Sequence, residues 1–263
     1  MQFGYSNNHH GFRFLHLSPV ARVVVIAGLL AMLGPGRYPL RAGQAAPDKG
    51  SNTSAPQLQT VLAGMDEAAS RFSSLSGDLE YTKVTVVVDD HSTEKGKVYF
   101  EKDKDGKPHV MLAFTEPAEK YVLFSNGKVS IYHPKIAEVE EYSIAKNEGL
   151  LEQFLLLGFG TSGSELQNAY KVSVKGEESV DGERAVHLDL VPKDQNVEAH
   201  LQHIELWVSP QTWQPIQQKF IEPSRDFLVA RYRNVLKNTK IAAKSFQLPF
   251  RGKVKTVHPQ TGD

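Results

Sequence analysis

Leu123-Phe-Ser-Asn-Gly-Lys-Val-Ser-Ile-Tyr-His-Pro134 decides how this chain folds. Asn126-Gly127 stands between two strand-like runs, Tyr121-Val122-Leu123-Phe124 and Val129-Ser130-Ile131-Tyr132. The favoured two-residue hairpin turn needs positive φ at both central residues, and Asn-Gly supplies it at little steric cost. Pro117 and Pro134 bracket the unit, and neither can continue a central ladder. The stretch therefore predicts a hairpin inside a larger antiparallel sheet.

The flanks extend that sheet. Upstream, Leu58, Val61, Leu62, Met65, Ala69 and Phe72 recur at spacings of three and four, one apolar stripe on a helix that Gly77 breaks. From Leu79 the period changes to two, with Val84, Val86 and Val88 on one face and Thr85 and Val87 on the other. Asp89-Asp90-His91 reads as a turn, residues 97–102 as a second strand, 102–108 as a charged turn and 109–115 as a third strand. Residues 138–143 follow the hairpin. Consecutive strands with short connections make an antiparallel meander, not alternating strand–helix units.

The meander is then interrupted. Leu150, Leu151, Phe154, Leu155, Leu156, Leu157 and Phe159 form an apolar segment that ends at Gly158 and Gly160. Apolar side chains extend beyond one narrow stripe, so a helix here should be buried on more than one side or lie over an apolar cavity. Strands resume at residues 170–176, 185–191, 203–208, 215–221 and 227–235, with a turn of helix near 237–243 and a last extended piece at 247–250.

The first 45 residues read as a signal peptide. Arg13 and Arg22 precede an apolar run, residues 23–33, that is shorter than the roughly 20 residues a membrane span needs. Gly43-Gln44-Ala45 offers small residues for cleavage before Ala46; an uncleaved anchor is the alternative. Residues 46–56 are a polar, flexible leader, and 57–263 make one domain. The chain is expected to be exported. Lysine and arginine together match aspartate and glutamate at 30 each, but four arginines and no acids lie before Ala46. The remainder has 26 basic and 30 acidic residues, a net −4, which argues against electrostatic binding to nucleic acid or to an anionic membrane. The sequence has no cysteine, so neither a disulfide framework nor acylation at an N-terminal cysteine is available.

Catalytic signatures are lacking. Gly158-Phe159-Gly160-Thr161-Ser162-Gly163 spells GxGxxG, but the glycines follow a helix-like segment and no βαβ unit surrounds them, so helix termination is the better reading. His200 and His203, with Glu198 and Glu205 nearby, are the best metal candidate. Residues three apart in a strand point to opposite faces, which favours a solvated polar edge. No nucleophile elbow or acid–base carboxylate pair stands out. The expectation is a protein that is not an enzyme and uses no cofactor or metal.

Gly96-Lys-Val-Tyr-Phe100, Phe114-Thr-Glu-Pro117 and the stretch 123–134 together resemble the periplasmic outer-membrane lipoprotein carriers of the LolA type. The resemblance covers most of residues 57–250 and rests chiefly on the hairpin. Two departures stand out: Met111-Leu112 occupies the place of an Arg-Trp-like pair, and Ser130 that of the hairpin's usual Trp. The resemblance implies an α+β, mainly β fold: an incomplete antiparallel β-barrel closed by a helical lid around an apolar cavity. It implies a cavity lined by Val84, Val86, Val88, Val110, Leu112, Phe114, Val122 and Phe124, with Leu150, Leu151, Phe154, Leu155 and Phe159 as the lid. The same residues would equally make a filled core. The implied function is a carrier that binds lipoprotein acyl chains or a related lipid and delivers them towards the outer membrane. Its partners would be an inner-membrane release complex and an outer-membrane acceptor, with no nucleic acid and the carrier a monomer. The alternative is a lipid- or lipoprotein-sensing module that binds a membrane signalling protein.

Overall fold

The computed structural model describes residues 57–102, 107–143 and 157–259. The chain opens with helix α1 (Leu58–Ser70), followed by β1 (Ser74–Thr85), β2 (Asp90–Lys102), β3 (Pro108–Glu116), β4 (Lys120–Ser125), β5 (Lys128–His133) and β6 (Glu138–Ser143). Helix α2 (Gly163–Ala169) leads into β7 (Tyr170–Val180) and β8 (Glu183–Pro192). The short α3 (Gln195–Glu198) precedes β9 (His203–Val208), β10 (Pro215–Ile221), β11 (Phe227–Lys237) and a final β12 (Lys255–Val257).

All described strands join one 12-stranded sheet in the order β12-β6-β5-β4-β3-β2-β1-β11-β10-β9-β8-β7. Every pairing is antiparallel except β12 with β6. The two ends of the order do not pair, so the sheet is an incomplete barrel. A flat sheet of this size would be roughly 50 Å wide at about 4.8 Å per strand. Twist and coiling fold one face inward, and side chains from both halves of the sheet meet α1 and α2 in one buried cluster. That cluster joins Val61 and Met65 of α1 and Leu166 of α2 to strand residues from Leu75 to Ala230.

The deciding hairpin forms as its sequence requires. Asn126 and Gly127 have φ of 53° and 68°, and Ser125 pairs with Lys128 across the two-residue turn. The β1–β2 and β5–β6 connections share a different device, a 3₁₀ turn closed by a left-handed residue. Val86–Val88 is followed by Asp89 at φ 49°, and Pro134–Ile136 by Ala137 at φ 49°. This corrects the period-two reading beyond Thr85. Val86 and Val88 do not continue the strand; they stand 46% and 69% exposed at the hairpin tip. The Asp226 carboxylate accepts from the Val86 N–H at 2.9 Å, and closing the hairpin overrides valine's preference for extended backbone.

Beyond β11 the chain crosses the outer face of the sheet. Phe246, in the 3₁₀ turn Ala243–Phe246, meets the ring of His109 on β3 at 6.2 Å, and Phe250 stands edge-on to Tyr132 at 5.1 Å. Arg251 pairs with Glu119 at 3.1 Å, and β12 then lies along β6. On this outer face Met111, Tyr132 and Val139 are buried.

Candidate functional site

Cross-strand register assembles the inner face from the hairpin outward. Phe124 opposes Val110 and Val129, and Val110 opposes Phe100. One step along, Val122 opposes Leu112 and Ile131, and Leu112 opposes Val98. Residues directly opposite share a face, so these rows form a continuous apolar patch over β2 to β5. All of them are buried. A third row runs from Tyr232 through Leu79 and Gly96 to Phe114 and Lys120. At Gly96 the ladder is bulged, and a Cβ there would lie 2.1 Å from the Ala113 carbonyl oxygen; glycine is what lets β3 approach.

The apolar rows give way to polar groups at the end bearing the β1–β2 and β5–β6 turns. Lys120 Nζ lies 2.5 and 2.6 Å from the two carboxylate oxygens of Glu94, and 4.8 Å from the centre of the Phe114 ring. Tyr81 packs against Phe114 at 6.2 Å between ring centres. On the neighbouring strands His133 Nε2 lies 3.6 Å from Glu140, whose carboxylate also accepts from the Tyr142 hydroxyl. Burial pushes Glu94 above the ordinary carboxylate range, with the Lys120 charge opposing it. Burial likewise pulls Lys120 below the ordinary ammonium value, with Glu94 opposing that.

Leu157 is fixed on the same face. Gln218 Nε2 donates to the Leu157 carbonyl at 2.5 Å, and its oxygen accepts from the Tyr232 hydroxyl at 2.8 Å. Phe159 lies 4.8 Å from the Tyr232 ring and 6.4 Å from Phe72, which stacks on Phe100. The glycines of the GxGxxG spelling have steric reasons here. Gly158 and Gly160 hold φ of 82° and 69°, and a Cβ on Gly160 would meet Phe72 at 2.5 Å. At Gly163 a Cβ would meet the Leu62 carbonyl oxygen at 2.5 Å, so this glycine sets the contact between α2 and α1.

The sequence-derived residues divide accordingly. Val110, Leu112, Phe114, Val122 and Phe124 come together on the inner face. Val84 is buried but does not join them: it lies an odd number of residues from Leu79 along β1, pairs with Phe227 and stays outside the main cluster. Val86 and Val88 are at the exposed tip. Phe159 is buried in the turn after Leu157. Leu150, Leu151, Phe154 and Leu155 lie outside the described residues. Val98, Phe100, Val129 and Ile131 were absent from the expected lining; pairing across Asn126-Gly127 places Val129 and Ile131 on the face of Phe124 and Val122.

On the outer face Glu178 accepts from Trp207 Nε1 at 2.8 Å and lies 2.7 Å from His187 Nδ1, with the His187 ring stacked on Trp207. His203 lies 3.9 Å from Asp189, and no cluster of three or more His, Cys, Asp or Glu among the described residues could hold a metal ion. No helix among them is long and apolar enough to cross a membrane.

No family model and no curated protein matches the sequence. Solved structures do resemble the fold. A putative outer membrane lipoprotein-sorting protein domain from Vibrio parahaemolyticus is similar at 11% identity and TM-score 0.39, over 72% of this chain and 97% of that one. A LolA superfamily protein from Nitrosomonas europaea is similar at 16% identity and TM-score 0.36, over 74% and 99%. A crystal structure of MucB is similar at 18% identity and TM-score 0.49, over 75% of this chain. This chain spans 65% of the length of that MucB chain. The inner face stands on its own geometry.

Proposed function

We propose that this chain is a periplasmic carrier that binds the acyl chains of lipoproteins, or of a related lipid, against its inner face and delivers them towards the outer membrane without catalysis. One observation carries the reading: the open sheet encloses an apolar inner face, in register over β2 to β5, that ends at a polar cluster. An amphiphile has the same division along its length. Val110, Leu112, Phe114, Val122 and Phe124 are the proposed lining, with Val98, Phe100, Val129 and Ile131 added by register. An inner-membrane release complex and an outer-membrane acceptor are the proposed partners.

Energetics fit a carrier that holds its cargo partially. Burying a methylene contributes about 0.8 kcal/mol, so a chain of about 16 carbons could contribute roughly 12 kcal/mol. Three such chains fully buried would exceed the practical ceiling of about 18–21 kcal/mol for non-covalent affinity. Release therefore requires that part of the chain stay uncovered or that part of the gain be spent on rearrangement.

The test is native mass spectrometry of the protein recovered from its own envelope, beside titration with a fluorescent fatty acid. Bound lipid, and probe binding that Val122→Asp weakens while Val87→Asp leaves it unchanged, supports the carrier. Circular dichroism checks that both variants fold. Absence of lipid and of probe binding removes it, and recovery of a single membrane regulator in a pull-down would favour the sensing module instead.

A further inference from the structure

The Glu94–Lys120 pair is hard to explain by stability. Lys120 is 7% exposed, and a buried ion pair typically does no better than two well-packed apolar side chains of similar volume. Its position is more informative. Lys120 lies two residues from Val122 and four from Phe124 on the same face of β4, and directly opposite Phe114. It is thus the first charge met on leaving the apolar rows towards the turn end. Glu94 keeps 18% of its side chain exposed, so the pair is reached from solvent on the carboxylate side.

We propose that Lys120 is a head-group subsite for an oxyanion at the end of an acyl chain, a carboxylate or a phosphate. The ligand oxygen takes the place of the Glu94 carboxylate as the partner of the ammonium group. Glu94 takes up one proton from solvent and, as a neutral acid, donates a hydrogen bond to the same head. Charge balances: one anion and one proton enter, so the net charge of the subsite is unchanged. The inference rests on the carrier reading and names the class of head that the carrier prefers.

The surroundings suit the exchange. Burial raises the tendency of Glu94 to hold a proton, and the charge and hydrogen bond of Lys120, with a smaller part from His133, restrain it. Once a ligand oxyanion draws on that charge, protonation of Glu94 becomes easier. The groups around the pair are Tyr81 on β1, Phe114 on β3 and His133 on β5, and His133 in turn meets Glu140 on β6, which accepts from Tyr142. His133 lies 3.6 Å from Glu140, so that second acid has a potential cationic partner of its own. Tyr81 is held as a neutral phenol by burial, leaving it a hydrogen-bonding group at neutral pH.

The experiment is calorimetric titration of the full chain with palmitate, 1-hexadecanol and a lysophosphatidate, repeated in buffers of different ionisation enthalpy. Palmitate or lysophosphatidate should bind about tenfold tighter than hexadecanol, as a charge-assisted bond to a buried ammonium implies. Binding of the anion should take up close to one proton at neutral pH. Lys120→Met should erase the preference while hexadecanol still binds, which shows that the variant is folded, and Lys120→Arg should keep the preference. Glu94→Gln should keep anion binding and abolish proton uptake. A preference for lysophosphatidate over palmitate identifies phosphate as the head; the reverse identifies carboxylate. Equal affinity for anion and alcohol, a preference that survives Lys120→Met, or no proton uptake overturns the subsite while leaving the carrier intact. Failure of all three ligands to bind the unmodified protein overturns both.

Discussion

Gln218 on β10 donates its side-chain N–H to the carbonyl oxygen of Leu157, 61 residues earlier in the chain. The same amide accepts from the Tyr232 hydroxyl, so one buried side chain ties Leu157 to two adjacent strands. An irregular backbone carbonyl is thereby satisfied where water does not reach.

Removing this amide should be costly. Gln218→Leu leaves the Leu157 carbonyl and the Tyr232 hydroxyl without their partner, and we expect a loss of about 2–4 kcal/mol. Tyr232→Phe leaves only the amide oxygen unsatisfied and should cost about 1–2 kcal/mol. Urea denaturation of the two single variants and the double should show a double-variant loss smaller than the sum, because both changes break one bond.

The glycines after Leu157 separate strain from collision. Gly160→Ala places a Cβ 2.5 Å from the Phe72 ring at a φ of 69°, and should destabilise by roughly 2–4 kcal/mol. Gly252 has a similar φ of 75° but open space around it. Gly252→Ala should cost only the backbone strain, about 1 kcal/mol. Denaturation midpoints that do not differ would remove the steric account of Gly160.

The charge pair on the inner face makes a prediction about pH. Because the folded-state pKa of Glu94 is raised, the folded protein holds that proton more tightly than the unfolded chain does. The associated stability is present below the ordinary carboxylate value of 4.5 and is lost as pH rises through the folded pKa. Glu94→Leu with Lys120→Met should therefore be neutral or stabilising by about 1–4 kcal/mol at neutral pH. Lys120→Met alone should destabilise, since it strands a buried carboxylate. Thermal melts from pH 4 upward compare them.

Glu178 behaves in the opposite sense. Burial raises it, but the bonds from Trp207 and His187 outweigh that and hold its carboxyl below the ordinary value of 4.5. Its contribution is present above that value and is lost as pH falls through the folded pKa. Acid melts of Trp207→Phe should show a shallower decline in this range than the unmodified protein. A parallel decline would mean that the Trp207 bond does not set the shift.

How far the sequence could be read depended on where the physics was local. The Asn126-Gly127 turn is decided by two residues, and register carried the reading from there to Phe124, Val122 and their partners. Asp181-Gly182 is an equivalent turn, with φ of 52° and 84°, and recognising it would have extended β7 and β8 to meet. The Val86–Val88 tip was not legible, because valine favours extended backbone and only the hairpin partner strand and Asp226, 140 residues away, close the turn. Glu94 and Lys120 are 26 residues apart and come together across β3, a strand that contributes neither. Gln218 binds a backbone carbonyl, a partner that no side-chain pattern advertises.

An open sheet has two free margins, and this chain treats them differently. Along β7, Lys171, Lys175, Glu177 and Glu178 and the irregularity at Val174/Gly176 make the margin a poor template. On the other side β12 occupies β6 with three residues, fastened by Lys255 to Glu138. A chain shortened after Lys237 would bare both the β6 margin and the patch of Met111, Tyr132 and Val139 beneath the crossing segment. Such a chain should keep its inner face yet stack margin to margin into oligomers, so the last strand serves as a guard against self-assembly.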